Sequence, residues 1–215
     1  MINDIRLGMD IHKVTASEFW GIPEDQVTPE QRAAAKFVVF GLMYGRGAKS
    51  VAKQVGITEM EAKQIIANFF AKYPVAARWL TQTHRFARDR KFVMNHFGRL
   101  RRLPYIDSNI KKEAADARRQ ALNAPIQSSA ADITGIAMIR IKRALEENNL
   151  RARPILTVHD SIVFECPNEE LPILIKLVYK RMTDPIPGII VPLDVEVEVG
   201  PNWAEVKEWK ELKES

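Results

Sequence analysis

The residues best equipped for chemistry fall in one stretch, RAAAKFVVFGLMYG, from Arg32 to Gly45. Arg32, Lys36, Phe40 and Tyr44 recur at steps of four, and residues four apart stack on one face of an α-helix. The stripe reads cation, cation, aromatic, aromatic over about 18 Å. A nucleoside triphosphate has the matching order of parts: its phosphates need positive charge, and its base and sugar need a flat apolar wall. A structural explanation competes, because Phe and Tyr on a helix face usually belong to a core, and Arg and Lys beside them usually reach into water.

Three further groupings carry chemistry. In TVHDSIVFE, His159 and Asp160 stand between two apolar runs. Asp160 there either stabilises a turn through its own backbone or serves as a metal ligand held on rigid strands. In FGRLRRLP, Arg99, Arg101 and Arg102 flank a turn. Arginine forks bind phosphate bidentately, so this is either a contact to a nucleic-acid backbone or a basic surface hairpin. Arg119, Asn123 and Gln127 are again four apart. Polar amides on a largely apolar helix are costly unless paired. They either satisfy local backbone or reach into a minor groove and meet its acceptors.

The elements that must position these residues can be read in order. Residues 1–28 suggest short helices and loops, with Asp10-Ile11-His12 leading into a small amphipathic segment that ends at Trp20-Gly21. Thr28 caps the next helix, with Pro29 at its first position and Gln31 three residues on, giving a helix over about 29–45. Gly45-Arg46-Gly47 then allows a tight turn. Thr58 opens a helix over 59–72 with Ala62, Ile65, Ile66, Phe69 and Phe70 on its apolar face. A helix over 75–90 follows, with Trp79, Leu80, Thr83 and Phe86 inward. Lys111 to Leu122 is a charged helix that Pro125 should break, and a second helix runs over 127–147. Arg153 to Glu165 reads as a β-hairpin. A helix runs from Asn168 to Met182. Val191 to Val199 alternates strictly and predicts a half-buried strand, and Gly200-Pro201-Asn202-Trp203 starts a short terminal helix.

Composition bounds the class. With 215 residues and 46% hydrophobic content, the chain can build a real core and is globular. A net charge of +5 fits a polyanionic partner. The single cysteine, Cys166, excludes an intrachain disulfide and a cysteine-rich zinc site. No apolar run has signal-peptide or membrane-spanning length, so no membrane partner is expected.

The order of these stretches resembles the C-terminal part of a family A DNA polymerase, the polymerase I type with its phage and organellar relatives. RAAAKFVVFGLMYG matches the family's R-x3-K-x3-F-x3-YG helix, and FGRLRRLP resembles its FGRRR-x-P segment. RQALNAPIQSSAADI resembles R-x3-N-x-P-x-Q-x3-AD, and TVHDSIVFE resembles the palm motif around HDE. DIHKVTASEFWGIP and VEVGPNW match as well, so the resemblance spans nearly the whole chain. It implies that Arg32 and Lys36 bind the incoming deoxynucleoside triphosphate, that Phe40 packs against its sugar, and that Tyr44 lies in the nascent-pair region. It implies that Arg119, Asn123 and Gln127 read the minor groove at the primer terminus, and that Arg99, Arg101 and Arg102 contact DNA. His159 would touch the primer end, Asp160 would ligate magnesium, and Lys36, His159 and Asp160 would be the catalytic set. Such enzymes use two magnesium ions about 4 Å apart.

Two departures qualify the resemblance. The family's HDE is His159-Asp160-Ser161 here, and Thr157 stands where many members have Gln. Single-subunit RNA polymerases resemble HDS, which keeps RNA synthesis as an alternative, although they have Met-Thr where this chain has Phe40-Gly41. Second, the D-Y-S-x-I-E-x-R motif that carries the other essential Asp is absent. One Asp cannot clamp two magnesium ions, so the chain is expected to be inactive alone and to share both ions with a partner chain carrying the thumb and the DYSxIE-like motif. The Met start favours a split, phage-type gene product over an excised fragment. A catalytically silent DNA-binding or replication accessory module is the rival.

The expected fold is α+β, a right-hand polymerase fold in part. Residues 1–108 form a helical fingers subdomain, and residues 109–215 form the C-terminal half of an antiparallel-sheet palm with the HDS hairpin. The expected partners are primer–template DNA and dNTP, in the cytoplasm of a bacterium or a phage-infected host cell.

Overall fold

The computed structural model describes residues 2–209. Helices α1 (Ile2–Arg6), α2 (Ile11–Trp20), α3 (Pro29–Met43), α4 (Ala48–Val55), α5 (Glu59–Lys72) and α6 (Pro74–Arg90) come first. A hairpin of β1 (Phe92–Met94) and β2 (Leu100–Arg102) follows, and then the long α7 (Lys111–Glu147). A second hairpin, β3 (Arg153–Val158) and β4 (Ser161–Glu165), leads to α8 (Leu171–Thr183) and the short pair β5 (Glu198–Val199) and β6 (Lys207–Glu208). Among the described residues there are three sheets, each two-stranded and antiparallel, which makes the fold α+β.

The chain divides into two compact units, residues 1–128 and 129–215. The division falls inside α7. In the first unit, one core gathers Val38, Val39 and Leu42 of α3 with Val51, Ala62, Phe69 and Tyr73. A second joins Ala87, Val93, Leu103 and Ile106 to Ala117 and Ala121 of α7. In the second unit, Ile141 and Leu145 pack with Ala152, Leu174 and Val178, and the half-buried Cys166 borders them.

Local chemistry accounts for most boundaries. Both predicted capping boxes close: Thr28 accepts from the Gln31 N–H while the Gln31 side chain accepts from the Thr28 N–H, and Thr58 and Glu61 do the same. Each box satisfies two N–H groups that the first helical turn would otherwise leave without partners. Asp10 caps α2, its Oδ1 accepting from His12 N–H at 3.0 Å and Lys13 N–H at 3.1 Å.

Four expectations are corrected. Pro125 does not break the helix, and α7 runs through it from Lys111 to Glu147. Proline removes one N–H, but flanking residues Ala121 and Leu122 are fully buried, and that packing holds the backbone helical. The predicted strand over 191–199 is laddered only at Glu198–Val199. Its burial does alternate as expected, with Val191, Leu193, Val195 and Val197 half-buried and Pro192, Asp194 and Glu196 exposed, so the residue pattern is that of a strand without an adjacent partner. After Gly200 there is no helix. The chain turns through Asn202, which accepts from the Ala204 and Glu205 N–H groups, and returns as β6. A Cβ at Gly200 would collide with the Glu205 carbonyl, so that turn requires glycine. The rest of the expected terminal helix, 210–215, lies outside the described residues. Finally, Phe86 is 40% exposed rather than inward, its ring set edge-on against Phe92.

Gly45, which ends α3, takes φ +78°, and a Cβ there would come within 2.9 Å of Leu122 Cδ1. The position therefore needs both the left-handed backbone and the missing side chain. Gly45→Ala should cost about 1–3 kcal/mol, read as a lower urea midpoint at an unchanged m-value.

Candidate functional site

α3 sorts its residues onto two faces. Ala35, Val38, Val39, Gly41 and Leu42 are buried, which leaves Arg32, Lys36 and Phe40 on the solvent side. Phe40 is 44% exposed, so the structural alternative of a core aromatic does not hold for it. Lys36 Nζ stands 6.0 Å from the Phe40 ring centroid, and the Phe40 and Tyr44 rings stack at 6.3 Å and 22°. The predicted stripe is thus continuous, exposed from Arg32 through Phe40 and half-buried at Tyr44, which caps the helix.

The structure adds two residues to it that the spacing argument did not single out. Asp10, while capping α2 with Oδ1, pairs with the Arg32 guanidinium through Oδ2. One carboxylate therefore ties the start of α2 to the start of the stripe. His12, two residues on, lies against Phe40 with ring centroids 5.5 Å apart. Its Nδ1 is buried and has no hydrogen-bond partner among the described residues. The sequence carried two signals for Asp10, its place just before a helix and its place at the head of DIHKVTASEFWGIP. The cross-contact to Arg32, 22 residues away, carries none.

Charge sets the protonation of this cluster. Burial pushes the Asp10 carboxyl up, but the Arg32 guanidinium and the Lys13 and His12 N–H groups outweigh it and hold it below the usual carboxylate range. Burial pushes the His12 imidazole down. Lys36 and Arg32 add to that, and Asp10 opposes it. The result is a neutral imidazole beside two cations, of which Arg32 alone is paired with the Asp10 carboxylate, a surface with net positive charge for an anion to meet.

The basic hairpin is exposed throughout β2. Its loop is fixed by Asn95, which is 6% exposed and whose Oδ1 accepts from Phe97 N–H at 3.0 Å and Arg99 N–H at 2.8 Å. Arg101 donates to Gln120 Oε1 at 3.3 Å, and Arg102 pairs in register with Phe92. Because α7 is unbroken, Arg119, Asn123 and Gln127 lie along one line of it. Arg119 is exposed and paired with Asp116, and Gln127 is exposed. Asn123 Oδ1 is sealed from solvent without a partner among the described residues, so that oxygen does not satisfy local backbone. Leaving such an atom unmet costs about 1–3 kcal/mol.

His159 and Asp160 belong to the second unit. Val158 pairs with Ser161, so these two residues are the whole loop between β3 and β4. His159 takes φ +55°, and the Ser161 hydroxyl donates to the Val158 carbonyl at 2.9 Å. Both His159 and Asp160 are exposed, with Asp160 at the tip of a rigid hairpin. Magnesium takes oxygen donors, commonly one or two carboxylates with substrate oxygens and water. Asp160 fits one such position. Among the described residues no group of three or more His, Cys, Asp or Glu could hold a metal ion, so Asp160 is a single ligand rather than a site.

His12 and His84 are both pushed below the ordinary histidine value of 6.5, each by burial first. Each ring is neutral when folded and binds a proton more readily once unfolded. Stability should therefore be full above pH 6.5 and fall as pH drops from there toward the depressed folded values. Urea titrations across that window should show the decline, and His12→Gln should flatten it.

A profile for DNA polymerase family A matches residues 1–205. DNA polymerase I of Chloroflexus aurantiacus is 40% identical over 206 residues, covering 96% of this chain and 22% of that protein. The thermostable DNA polymerase I of Thermus aquaticus is 36% identical over 208 residues, covering 97% and 25%. Among solved structures, the POL domain of Pol1 from M. smegmatis, in complex with DNA primer–template and dNTP, superposes with a TM-score of 0.84. It is 37% identical, over 90% of this chain and 34% of that one. The chain thus spans about a quarter of the length of the curated relatives it matches. No helix among the described residues is long and apolar enough to cross a membrane.

Proposed function

The chain belongs to DNA polymerase family A, and we propose that it supplies the nucleotide-handling helix and one catalytic carboxylate of an enzyme that extends a DNA primer along its template. The exposed Arg32, Lys36 and Phe40 of α3, with the half-buried Tyr44 stacked on Phe40, carry this reading. Arg32 and Lys36 receive the triphosphate, and their charge offsets what builds up on the departing pyrophosphate. Asp10 holds Arg32 in place until the phosphates arrive. Phe40 packs against the sugar, and Tyr44 lies where the new base pair forms. Residues 1–108 act as fingers and residues 109–215 as half of a palm.

Arg119, Asn123 and Gln127 contact the minor groove at the primer terminus. Minor-groove acceptors are shared by all correct pairs, so this checks pair shape more than sequence. Arg99, Arg101 and Arg102 hold the DNA backbone. His159 contacts the primer end. Asp160 provides one oxygen ligand for magnesium, which when bound supplies charge neutralisation at the reacting phosphate.

The second carboxylate comes from polypeptide outside this sequence, together with the thumb, as in a split, phage-type polymerase. Two features support a docking partner beside the β3–β4 sheet and the 191–197 segment. Ile155 and Leu156 of β3 are 58% and 43% exposed, and residues 191–196 of that segment keep strand-like burial without a ladder partner among the described residues. The proposed place of action is the cytoplasm.

Two measurements test this. Lys36→Ala should raise the apparent KM for dNTP about 10- to 150-fold, the equivalent of one charge-assisted hydrogen bond, with primer–template affinity nearly unchanged. An equal loss of both would remove Lys36 from the triphosphate. A chain with the thumb and a DYSxIE-like motif, added to this one, should give magnesium-dependent dNTP incorporation. Asp160→Ala should lower that rate at least about a thousandfold. A pair that binds primer–template and incorporates nothing would identify the chain as a silent DNA-binding module.

A further inference from the structure

We infer that Arg46 is an additional phosphate-binding residue on the flank of α3. Just past the end of α3 the chain doubles back, and the Arg46 N–H donates to the Gly41 carbonyl at 2.7 Å. The side chain then lies along the helix, its Cζ 4.3 Å from the centroid of the Phe37 ring. Gly41 makes the room: a Cβ there would come within 2.9 Å of Arg46 Cδ. Gly41 is helical and buried, a position where alanine is the better helix former. Glycine here thus sacrifices helix stability for the path of one arginine stem.

An arginine that merely complemented the helix dipole would keep its guanidinium at the terminal carbonyls. This one is carried back along α3 to an aromatic ring. Arg46 is exposed and has no carboxylate partner among the described residues. A guanidinium placed over an aromatic ring is pre-organised, because the ring limits its orientations while its N–H edge stays free to donate. The group that meets such a fork with two oxygens, where no carboxylate is present, is a phosphate. Phe37 neighbours Lys36 in sequence, so Arg46 broadens the positive face of α3 sideways from the stripe. The phosphate belongs either to a nucleic-acid strand passing the helix or to the incoming triphosphate. The inference rests on the reading of α3 as a nucleotide-handling helix.

The test uses the 215-residue chain with two probes, a labelled primer–template with a single-stranded overhang and inorganic tripolyphosphate. Affinity for the first is followed by anisotropy from about 50 to 200 mM salt. Arg46→Met keeps the stem and removes the charge. If the phosphate is on a strand, this variant binds DNA several-fold more weakly, its log–log salt slope is shallower by about 0.7–0.9, and tripolyphosphate binding is unchanged. If the phosphate is on the nucleotide, tripolyphosphate binding weakens instead. Arg46→Lys should restore the slope but not the full affinity, because it lacks the fork. Gly41→Ala should weaken binding in the same direction as Arg46→Met, although the charge count is unchanged. Melting curves confirm that each variant is folded. Arg46→Met and Gly41→Ala indistinguishable from the parent on both probes would reduce Arg46 to a cover for Phe37 and overturn the inference. A parent chain that binds neither probe would overturn the inference, while dNTP incorporation by this chain with its thumb-bearing partner tests the polymerase reading separately.

Discussion

The cationic and aromatic face of α3 depends on how that one helix is rotated. In α3, the insertion of Val38, Val39 and Leu42 into a core shared with Val51, Ala62 and Phe69 fixes the helix about its own axis. At about 100° per residue, no other rotation buries those three and Ala35 together. Once it is fixed, Arg32, Lys36 and Phe40 have nowhere to point but outward. The polar residues contribute little to holding the helix. The apolar ones act at the site only indirectly, by setting the direction of their neighbours.

A second constraint links this helix to what precedes it. Asp10 uses one oxygen for the first turn of α2 and the other for Arg32. The capping role alone could be filled by Ser, Thr or Asn. The dual role needs a carboxylate, because only a charge pulls the guanidinium toward the N-terminal end of α2. With His12 lying against Phe40, the short α2 becomes a side wall of the stripe rather than a connector. The two capping boxes, at Thr28 and Thr58, hold the entry points of α3 and α5 in the same economical way.

How much of this was legible in the sequence depended on how local each cause is. The stripe, both capping boxes and the His159-Asp160 hairpin follow from residues within a few positions of one another, and all were readable. Pro125 is not legible locally, because the rule that proline ends a helix yields to the packing of Ala121 and Leu122. The 191–199 segment was half right: side-chain alternation is written in the residues, but a ladder needs a neighbouring strand, which a period of two does not guarantee. The Asp10–Arg32 pair and the Arg46–Phe37 stack were invisible because each depends on how the chain folds back on itself. At Gly200 the residues do not decide, since glycine followed by Pro, Asn and Trp suits a helix start as well as a turn.

The loop between β3 and β4 has a practical implication for anyone hardening this protein against heat. His159 sits in the left-handed region, which an ordinary L-residue enters at a cost of about 1 kcal/mol or more and glycine enters freely. A search for more heat-resistant sequences would settle on glycine there, and so erase the one imidazole beside Asp160. Under the role proposed for His159 at the primer end, thermal robustness and that contact pull this single position in opposite directions, so a library screened only for melting temperature would discard the imidazole.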